Sequence, residues 1–336
     1  MTTLMDLNAL PKVELHLHLD CSLSYSVARR IQPDLTFEAY RESFIAPAKC
    51  TDLADYISRA VKGFELMQTP EHLRLVTLDL FEQLERDRVI YAEIRFAPLL
   101  HTARGLTPAE VVQAVMDATG EGIRTSGIEA RLILCTLRHF DEPQSLETIG
   151  LCERFRDTLV AGFDIAADEA GFPIDAHKAA FAYAHKVGIP CTAHAGEAKG
   201  AESMWETIRH FRPRRIGHGV RCIEDPALLH YIRDHNLHLE VCPTSNIQVN
   251  VFDTLAKHPA DYLYQNGISM SINTDTRTIS DTDLTREYGL LEQAFGWDLG
   301  HFRKCNLEAI AHAFAPDEVK DKVRKRLLDA YPLPAG

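Results

Sequence analysis

The candidate metal-binding and catalytic residues of this chain are histidines and carboxylates that follow short apolar segments. His16 and His18 are separated by one residue. If they lie in a strand, residues i and i+2 point to the same face, so both imidazoles can bind one ion. His194 and Asp275 can complete a nitrogen and oxygen ligand set with one position left for water, as catalytic zinc requires. The sequence therefore predicts a hydrolytic metal site with one zinc ion per chain.

Two more groups follow segments of the same kind, and both are candidates for acid–base catalysis. Glu197 stands three residues after His194, and His218 lies between two glycines. Each has a structural alternative, because residues 194–197 could simply turn a strand into a helix and His218 could sit in a tight turn. Their joint occurrence at strand ends favours a site, since barrel active sites lie at the C-terminal ends of the strands. The same ends also carry Asp20, Asp168, Glu169 and Glu240. Other histidines, including His139, His177 and His258, are interpreted as solvated or structural.

Eight strand-like segments must position these groups. They are residues 13–19, 89–96, 130–137, 160–166, 189–195, 215–220, 237–242 and 268–274. Most are short, nearly continuous apolar runs with helical patterns between them, which is typical of βαβ units and a parallel sheet covered on both faces. Eight such units predict an α/β protein with a (β/α)8 TIM barrel. The first strand is not followed by G-x-G-x-x-G, which disfavours a dinucleotide fold.

The connection between the first two strands is much longer than a plain βα unit. Residues 22–88 have largely helical periodicity. In a barrel this connection starts at the catalytic face, so it is predicted to be a helical lid insertion. Nothing in the composition marks a linker, and residues 1–336 are expected to form a single domain.

The amino-acid composition limits which classes of molecule the protein is expected to bind. The charge is 36 − 48 = −12, which disfavours nucleic acid and anionic membranes and favours a small, roughly neutral substrate. The eight cysteines are scattered without a C-x-x-C pair, as in a reducing cytosol. The first residues lack the pattern of a signal peptide, and no apolar run is long enough to cross a bilayer. We therefore expect a cytoplasmic protein, and assign no oligomeric state.

Five segments together resemble the adenosine deaminase family, in the order found there. They are residues 11–20, 194–197, 215–219, 240–246 and 273–275. The resemblance covers nearly the whole chain and implies a metal-dependent (β/α)8 barrel of the amidohydrolase type. It implies that His16, His18, His194 and Asp275 are the zinc ligands.

The resemblance also implies roles in catalysis. Glu197 matches the acid that protonates the purine ring nitrogen next to the reacting carbon. His218 matches the histidine that helps to deprotonate and orient the water, and Asp275 can accept a hydrogen bond from it as well as bind zinc. Zinc lowers the pKa of bound water from ~16 to ~7 and so supplies hydroxide at neutral pH. Asp20 matches a ribose contact, and we also expect His18 to contact the substrate.

Three positions depart from the family pattern, and they concern the substrate more than the reaction. Cys21 and Ala167 each stand where glycine is usual, and the backbone N–H at position 167 is expected to contact the purine. Thr276 stands where many members have an aspartate facing the N7 edge of the purine. A threonine hydroxyl can donate a hydrogen bond to N7 without needing protonation, so Thr276 is predicted to bind substrate.

The predicted reaction is zinc-dependent deamination of adenosine or 2′-deoxyadenosine to inosine or 2′-deoxyinosine and ammonia, in purine salvage. The alternatives keep the chemistry but change the substrate to adenine or to a 5′-modified adenosine such as aminodeoxyfutalosine. Another metal-dependent barrel hydrolase, acting on an ester or phosphoester, is less favoured because residues 164–169 lack the lysine that often bridges two metals. A purine-binding protein without turnover is also disfavoured, since Glu197 and all four ligands are present.

Overall fold

Eight parallel strands form the centre of the molecule. In the computed structural model, which describes residues 6–331, they are β1 Lys12–His18, β2 Val89–Phe96, β3 Glu129–Leu137, β4 Val160–Ala166, β5 Thr192–Ala195, β6 Arg215–His218, β7 His238–Val241 and β8 Met270–Ile272. Each strand pairs in parallel with the next, in two runs of four, from β1 to β4 and from β5 to β8. The strands follow the predicted segments in order.

Isolated bridges close these two runs into a ring. Phe163 pairs with Cys191 between β4 and β5, and Leu17 pairs with Asp275 just after β8. At the second seam the His18 N–H donates to the Asp275 carbonyl over 2.8 Å. The sheet is therefore closed, and the prediction of a (β/α)8 TIM barrel is confirmed.

Helices surround the barrel and fill the long connection after β1. They are α1 Tyr25–Ile31, α2 Phe37–Phe44, α3 Leu53–Ile57, α4 Ala60–Leu66, α5 Pro70–Arg86, α6 Pro108–Ser126, α7 Glu142–Arg154, α8 Lys178–Val187, α9 Ala201–Phe211, α10 Pro226–Asp234, α11 Pro243–Gln248, α12 Ala260–Gln265, α13 Leu284–Phe295, α14 Leu299–His312 and α15 Asp317–Ala330. Capping residues define where several helices begin. Thr107 and Glu110 form a capping box at the N-terminus of α6, and Asp225 is the N-cap of α10. None of the helices in residues 6–331 is both long and apolar enough to span a bilayer.

The four strands β5 to β8 are shorter than predicted, and three of them are shortened for a clear local reason. β5 lacks its first residues, where Pro190 has no N–H to donate to a ladder. β6 ends where His218 and Gly219 take positive φ angles of 60° and 69°. β8 ends before Asn273, whose side-chain oxygen accepts two backbone N–H groups of β1 in place of a strand carbonyl. The early ends of β6 and β8 turn the chain at the rim that carries the predicted site residues.

The connection after β1 lies across this rim. Its last helix, α5, packs against α6 as a barrel helix normally does, whereas α3 and α4 reach over the strand ends. Two backbone hydrogen bonds tie the connection down: the Ala46 N–H donates to Ile279 and the Cys50 N–H donates to Gln248, each over 2.8 Å. The part of residues 22–88 that covers the site is therefore the stretch before α5.

Candidate active site

The four predicted metal ligands converge at the rim. One ligand atom from each of His16, His18, His194 and Asp275 lies within 4.8 Å of all the others. His18 Nε2 is 3.2 Å from His194 Nε2, and Asp275 Oδ1 is 3.2 Å from His16 Nε2. His16 Nε2 is buried and makes no hydrogen bond within the described chain. Three imidazole nitrogens and one carboxylate oxygen around a common point fit a zinc ion.

Buried carboxylates behind two of the histidines aim them at this point. Glu240 lies 2.8 Å from His16 Nδ1, and Asp164 lies 3.1 Å from His194 Nδ1. A carboxylate at Nδ1 keeps the hydrogen there, so the Nε2 lone pair faces the metal position. Arg95 links the two carboxylates through hydrogen bonds of 2.7 Å to each.

The carboxylates of this network stay ionised although they are fully buried. Burial raises the pKa of Glu240, but the charges of Arg95 and Arg215 outweigh it and hold that pKa well below its usual range. The pKa of Asp164 is likewise lowered, because burial is outweighed by His194 and Arg95. The sequence places Glu240 at a strand end, but it does not mark Asp164 or Arg95 as parts of the site.

Asp275 presents one oxygen to the metal position and uses the other to hold itself in place. Its Oδ2 accepts a hydrogen bond of 2.7 Å from the Ser245 hydroxyl. Its backbone has a φ of 63°, a conformation that a residue with a Cβ rarely adopts. Such backbone strain persists where surrounding contacts enforce it, as the barrel seam does here.

Glu197 and His218 lie beside the ligands, with Glu197 Oε1 3.5 Å from His218 Nε2. The turn that carries Glu197 is organised by Glu169, whose carboxylate accepts the four successive N–H groups of residues 196–199 at 2.7–3.0 Å. Burial, followed by the negative charges of Asp275 and Glu169, raises the pKa of Glu197 well above its usual range. A carboxyl group in this position keeps its proton to a higher pH than an exposed one and can act as a proton donor.

These groups lie at the base of a cavity of about 570 Å³. One wall comes from the connection after β1 and the opposite wall from the barrel loops; the apolar lining includes Leu53, Ile57, Val61, Phe64, Leu100, Leu137 and Phe172. Among the described residues, no lysine or arginine lines the cavity. His139, interpreted from sequence as solvated or structural, lines this cavity as well.

The predicted substrate contacts all line the cavity, but some are already engaged. Asp20 contacts His101 Nε2 over 2.7 Å through one oxygen and accepts the Ala97 N–H over 3.1 Å through the other. Ala167 follows β4 with a φ of 77°, which explains why glycine is easier to accommodate there. Cys21 lines the cavity as a buried thiol.

The Thr276 hydroxyl belongs to a cluster of hydroxyl groups that the sequence does not indicate. Tyr56, from α3, places its hydroxyl 2.5 Å from Thr276 Oγ1 and 2.6 Å from Ser280 Oγ. Both Tyr56 and Thr276 line the cavity. The covering helix and the loop after β8 are thus joined by hydroxyl groups at the cavity wall.

A closed parallel barrel with this ligand set at its C-terminal rim has the architecture of a metal-dependent amidohydrolase. The matching family model is that of adenosine deaminase, over residues 11–330. The adenosine deaminase of Enterococcus faecalis is 36% identical over 329 residues, which is 96% of this chain and 97% of that protein. That of Lacticaseibacillus casei is 37% identical and covers 97% of both. The chain belongs to the adenosine deaminase family and is a deaminase.

Solved structures agree on the fold. Adenine deaminase from Arthrobacter aurescens is 25% identical with a TM-score of 0.88, covering 96% of this chain and 99% of that one. An amidohydrolase from Burkholderia ambifaria, solved with bound Zn, is 23% identical with a TM-score of 0.88 and covers 97% and 91%. The Arabidopsis N6-mAMP deaminase is 24% identical with a TM-score of 0.84 and covers 96% and 99%.

Proposed function

We propose that this protein catalyses the zinc-dependent hydrolytic deamination of adenosine and 2′-deoxyadenosine, with one zinc ion per chain, in purine salvage. The observation that carries the proposal is the position of Glu197, a buried carboxyl group with a raised pKa, beside four convergent metal ligands. The family membership supports the same reaction.

The geometry supports a proposed role for each residue. His16, His18, His194 and Asp275 would hold the zinc ion, which when bound supplies a nucleophilic oxygen at neutral pH. Glu197 protonates N1 of the purine as the oxygen adds to C6, which stabilises the adduct that has lost aromaticity.

The cavity favours a nucleoside over a nucleotide and over a free base. A 5′-phosphate would enter a cavity to which residues 6–331 contribute no lysine or arginine, and its negative charges would meet Asp20 and Asp168. A cavity of about 570 Å³ has more room than a free purine base needs. The half-exposed side chains of Val61 and Phe172 at the lining favour, as a second candidate, an adenosine whose 5′ substituent is apolar or aromatic.

A substrate panel tests the proposal. Ammonia release is measured with adenosine, 2′-deoxyadenosine, adenine, AMP and a 5′-modified adenosine such as aminodeoxyfutalosine. We expect the unmodified nucleosides to give the highest kcat/KM and AMP to be turned over poorly. A clear preference for adenine, for AMP or for the 5′-modified nucleoside would refute the proposed substrate while leaving the reaction type intact.

Thr276 is the proposed contact with the N7 edge of the purine. In a purine, C6 is flanked by N1 on one side and by C5, which carries N7, on the other. A ring that directs N1 to Glu197, after β5, therefore turns its N7 edge away from Glu197, where we propose that Thr276, after β8, meets it. Replacing N7 by a carbon, as in 7-deazaadenosine, is expected to lower kcat/KM by one to two decades, since losing one hydrogen bond to a buried neutral group costs about 1–3 kcal/mol. Steady-state kinetics of both substrates measure the ratio.

The control for this contact is Thr276→Val, which keeps the shape and removes the hydroxyl. We expect the variant to treat adenosine and 7-deazaadenosine nearly alike, giving a strong coupling in a double-mutant cycle. A variant that still discriminates like the wild type would show that Thr276 does not contact N7.

We propose that residues 1–336 form one domain, in which residues 22–88 supply a lid over the cavity. We also propose a cytoplasmic location, supported by eight cysteines that are all free and buried.

A further inference from the structure

Behind His218, two buried side chains that the proposed mechanism does not use connect it to the backbone at α12. Asn246 Nδ2 is 3.1 Å from His218 Nδ1, and Asn246 Oδ1 is 3.2 Å from His258 Nε2. His258 Nδ1 in turn accepts the backbone N–H of Ala260 over 3.2 Å. The exposed fractions of His218, Asn246 and His258 are 1%, 0% and 3%, so water does not compete for these contacts.

The direction of each hydrogen bond can be assigned from the backbone end. A backbone N–H can only donate, so His258 Nδ1 carries no hydrogen. Burial lowers the pKa of His258 to about 3, so the ring is neutral and its single hydrogen is on Nε2. That hydrogen is donated to Asn246 Oδ1, which orients the amide with its NH2 group toward His218.

The amide orientation then determines which nitrogen of His218 carries hydrogen. Since an NH2 group only donates, His218 Nδ1 must accept and carries no hydrogen, so the one hydrogen of the ring lies on Nε2, the nitrogen that faces Glu197 and the cavity. We infer that His258 and Asn246 are positioning residues that hold His218 as the Nε2–H tautomer, so that His218 donates a hydrogen bond into the site. This inference rests on the proposed deamination.

The consequence for catalysis is a change in the role of His218. A ring with hydrogen on Nε2 cannot accept a proton there from the attacking oxygen, but it can hold that oxygen in line with C6 and stabilise negative charge on it. A donor fixed before the reaction requires no reorganisation when charge develops, which is why single donors of this kind contribute strongly to kcat.

The test reverses one hydrogen bond without changing shape. In Asn246→Asp the carboxylate can only accept, so His218 is expected to move its hydrogen to Nδ1 and lose the donor at Nε2. We expect kcat for adenosine to fall by about 10²-fold, in the range seen when one preorganised donor is lost, with KM and zinc content near wild type. Asn236→Asp, at an exposed position, is the control for the added charge.

Nitrogen-15 NMR of the histidine rings in the zinc-loaded protein gives a readout that does not depend on turnover. The wild type is expected to show His218 with hydrogen on Nε2, and Asn246→Asp with hydrogen on Nδ1. His258→Gln, which keeps an N–H donor for Asn246, should retain most activity, whereas His258→Phe should lose it. Hydrogen on Nδ1 in the wild type, or full kcat in Asn246→Asp, would overturn the inference. A wild type with hydrogen on Nε2 that fails to deaminate adenosine would uphold the tautomer and refute only the proposed function.

Discussion

Replacing Glu197 by glutamine is expected to lower kcat by roughly 10²–10⁴-fold, the usual contribution of a positioned proton donor. The amide has the same shape and can still donate a hydrogen bond to N1, but it cannot transfer a proton. Because the lost interaction exists mainly in the transition state, kcat falls much more than KM changes. Steady-state kinetics, calorimetric binding of the product inosine and elemental analysis for zinc together measure the effect.

The pH dependence of the same pair of proteins sharpens the test. Burial raises the pKa of Glu197, so its protonated, active form persists to a higher pH than in an exposed carboxyl group and is lost as the pH rises through that pKa. The wild type should therefore lose kcat as the pH rises through this raised pKa, and kcat of Glu197→Gln should not show that decrease. Glu206→Gln, at an exposed position on α9, removes one carboxylate without touching the cavity and serves as the control. Near-normal kcat in Glu197→Gln would remove Glu197 from the mechanism.

Asp275→Ala is expected to lose both bound metal and turnover, because it removes a ligand rather than a purely catalytic group. Changing a residue that only supports a ligand typically costs 10–100-fold in metal affinity or activity, and loss of the ligand itself should exceed that. Zinc is measured by elemental analysis after dialysis against a weak chelator, alongside kcat. Thermal unfolding with and without added zinc gives a second measure, since a ligand at 100 times its Kd stabilises the folded state by about 2.7 kcal/mol.

Ser245→Ala is the matched control for this ligand. It removes only the hydrogen bond to Asp275 Oδ2, so it should retain zinc and lose activity within the 10–100-fold range. The zinc-stabilised unfolding transition should persist in Ser245→Ala and be absent in Asp275→Ala. Wild-type protein that is fully active with no bound transition metal would contradict the metal assignment altogether.

The strands and the convergence of the four candidate metal ligands were predictable because their signals are local. An apolar segment that ends in His16 and His18, or in His194, marks both a strand and the group at its end, and parallel strands bring such ends to one rim. The carboxylates that orient these histidines have no comparable signal in the sequence. Asp164 and Glu240 interrupt apolar strands, and their partnership through Arg95 depends on three strands that are distant in sequence.

The contacts that the connection after β1 makes with the barrel could not be predicted from local sequence patterns either. Periodicity around Tyr56 indicates a helix, but which face of that helix meets Thr276 depends on how the connection is anchored to the barrel. His258 likewise lies in a segment without periodicity, and only the fold brings it to Asn246. The positive φ of Ala167 has no local sequence signal, and only the family resemblance, which implies glycine there, could have indicated it.

The seam between β1 and β8 has a consequence for how the protein is made. Leu17 pairs with Asp275, and Asn273 accepts the N–H groups of Leu15 and His16, so the first and last strands of the barrel meet at the metal ligands. During synthesis on the ribosome, the N-terminal ligands emerge long before the strand that completes their site. Nascent chains should therefore bind zinc weakly and remain inactive until β8 has been translated, so truncated chains should lack activity.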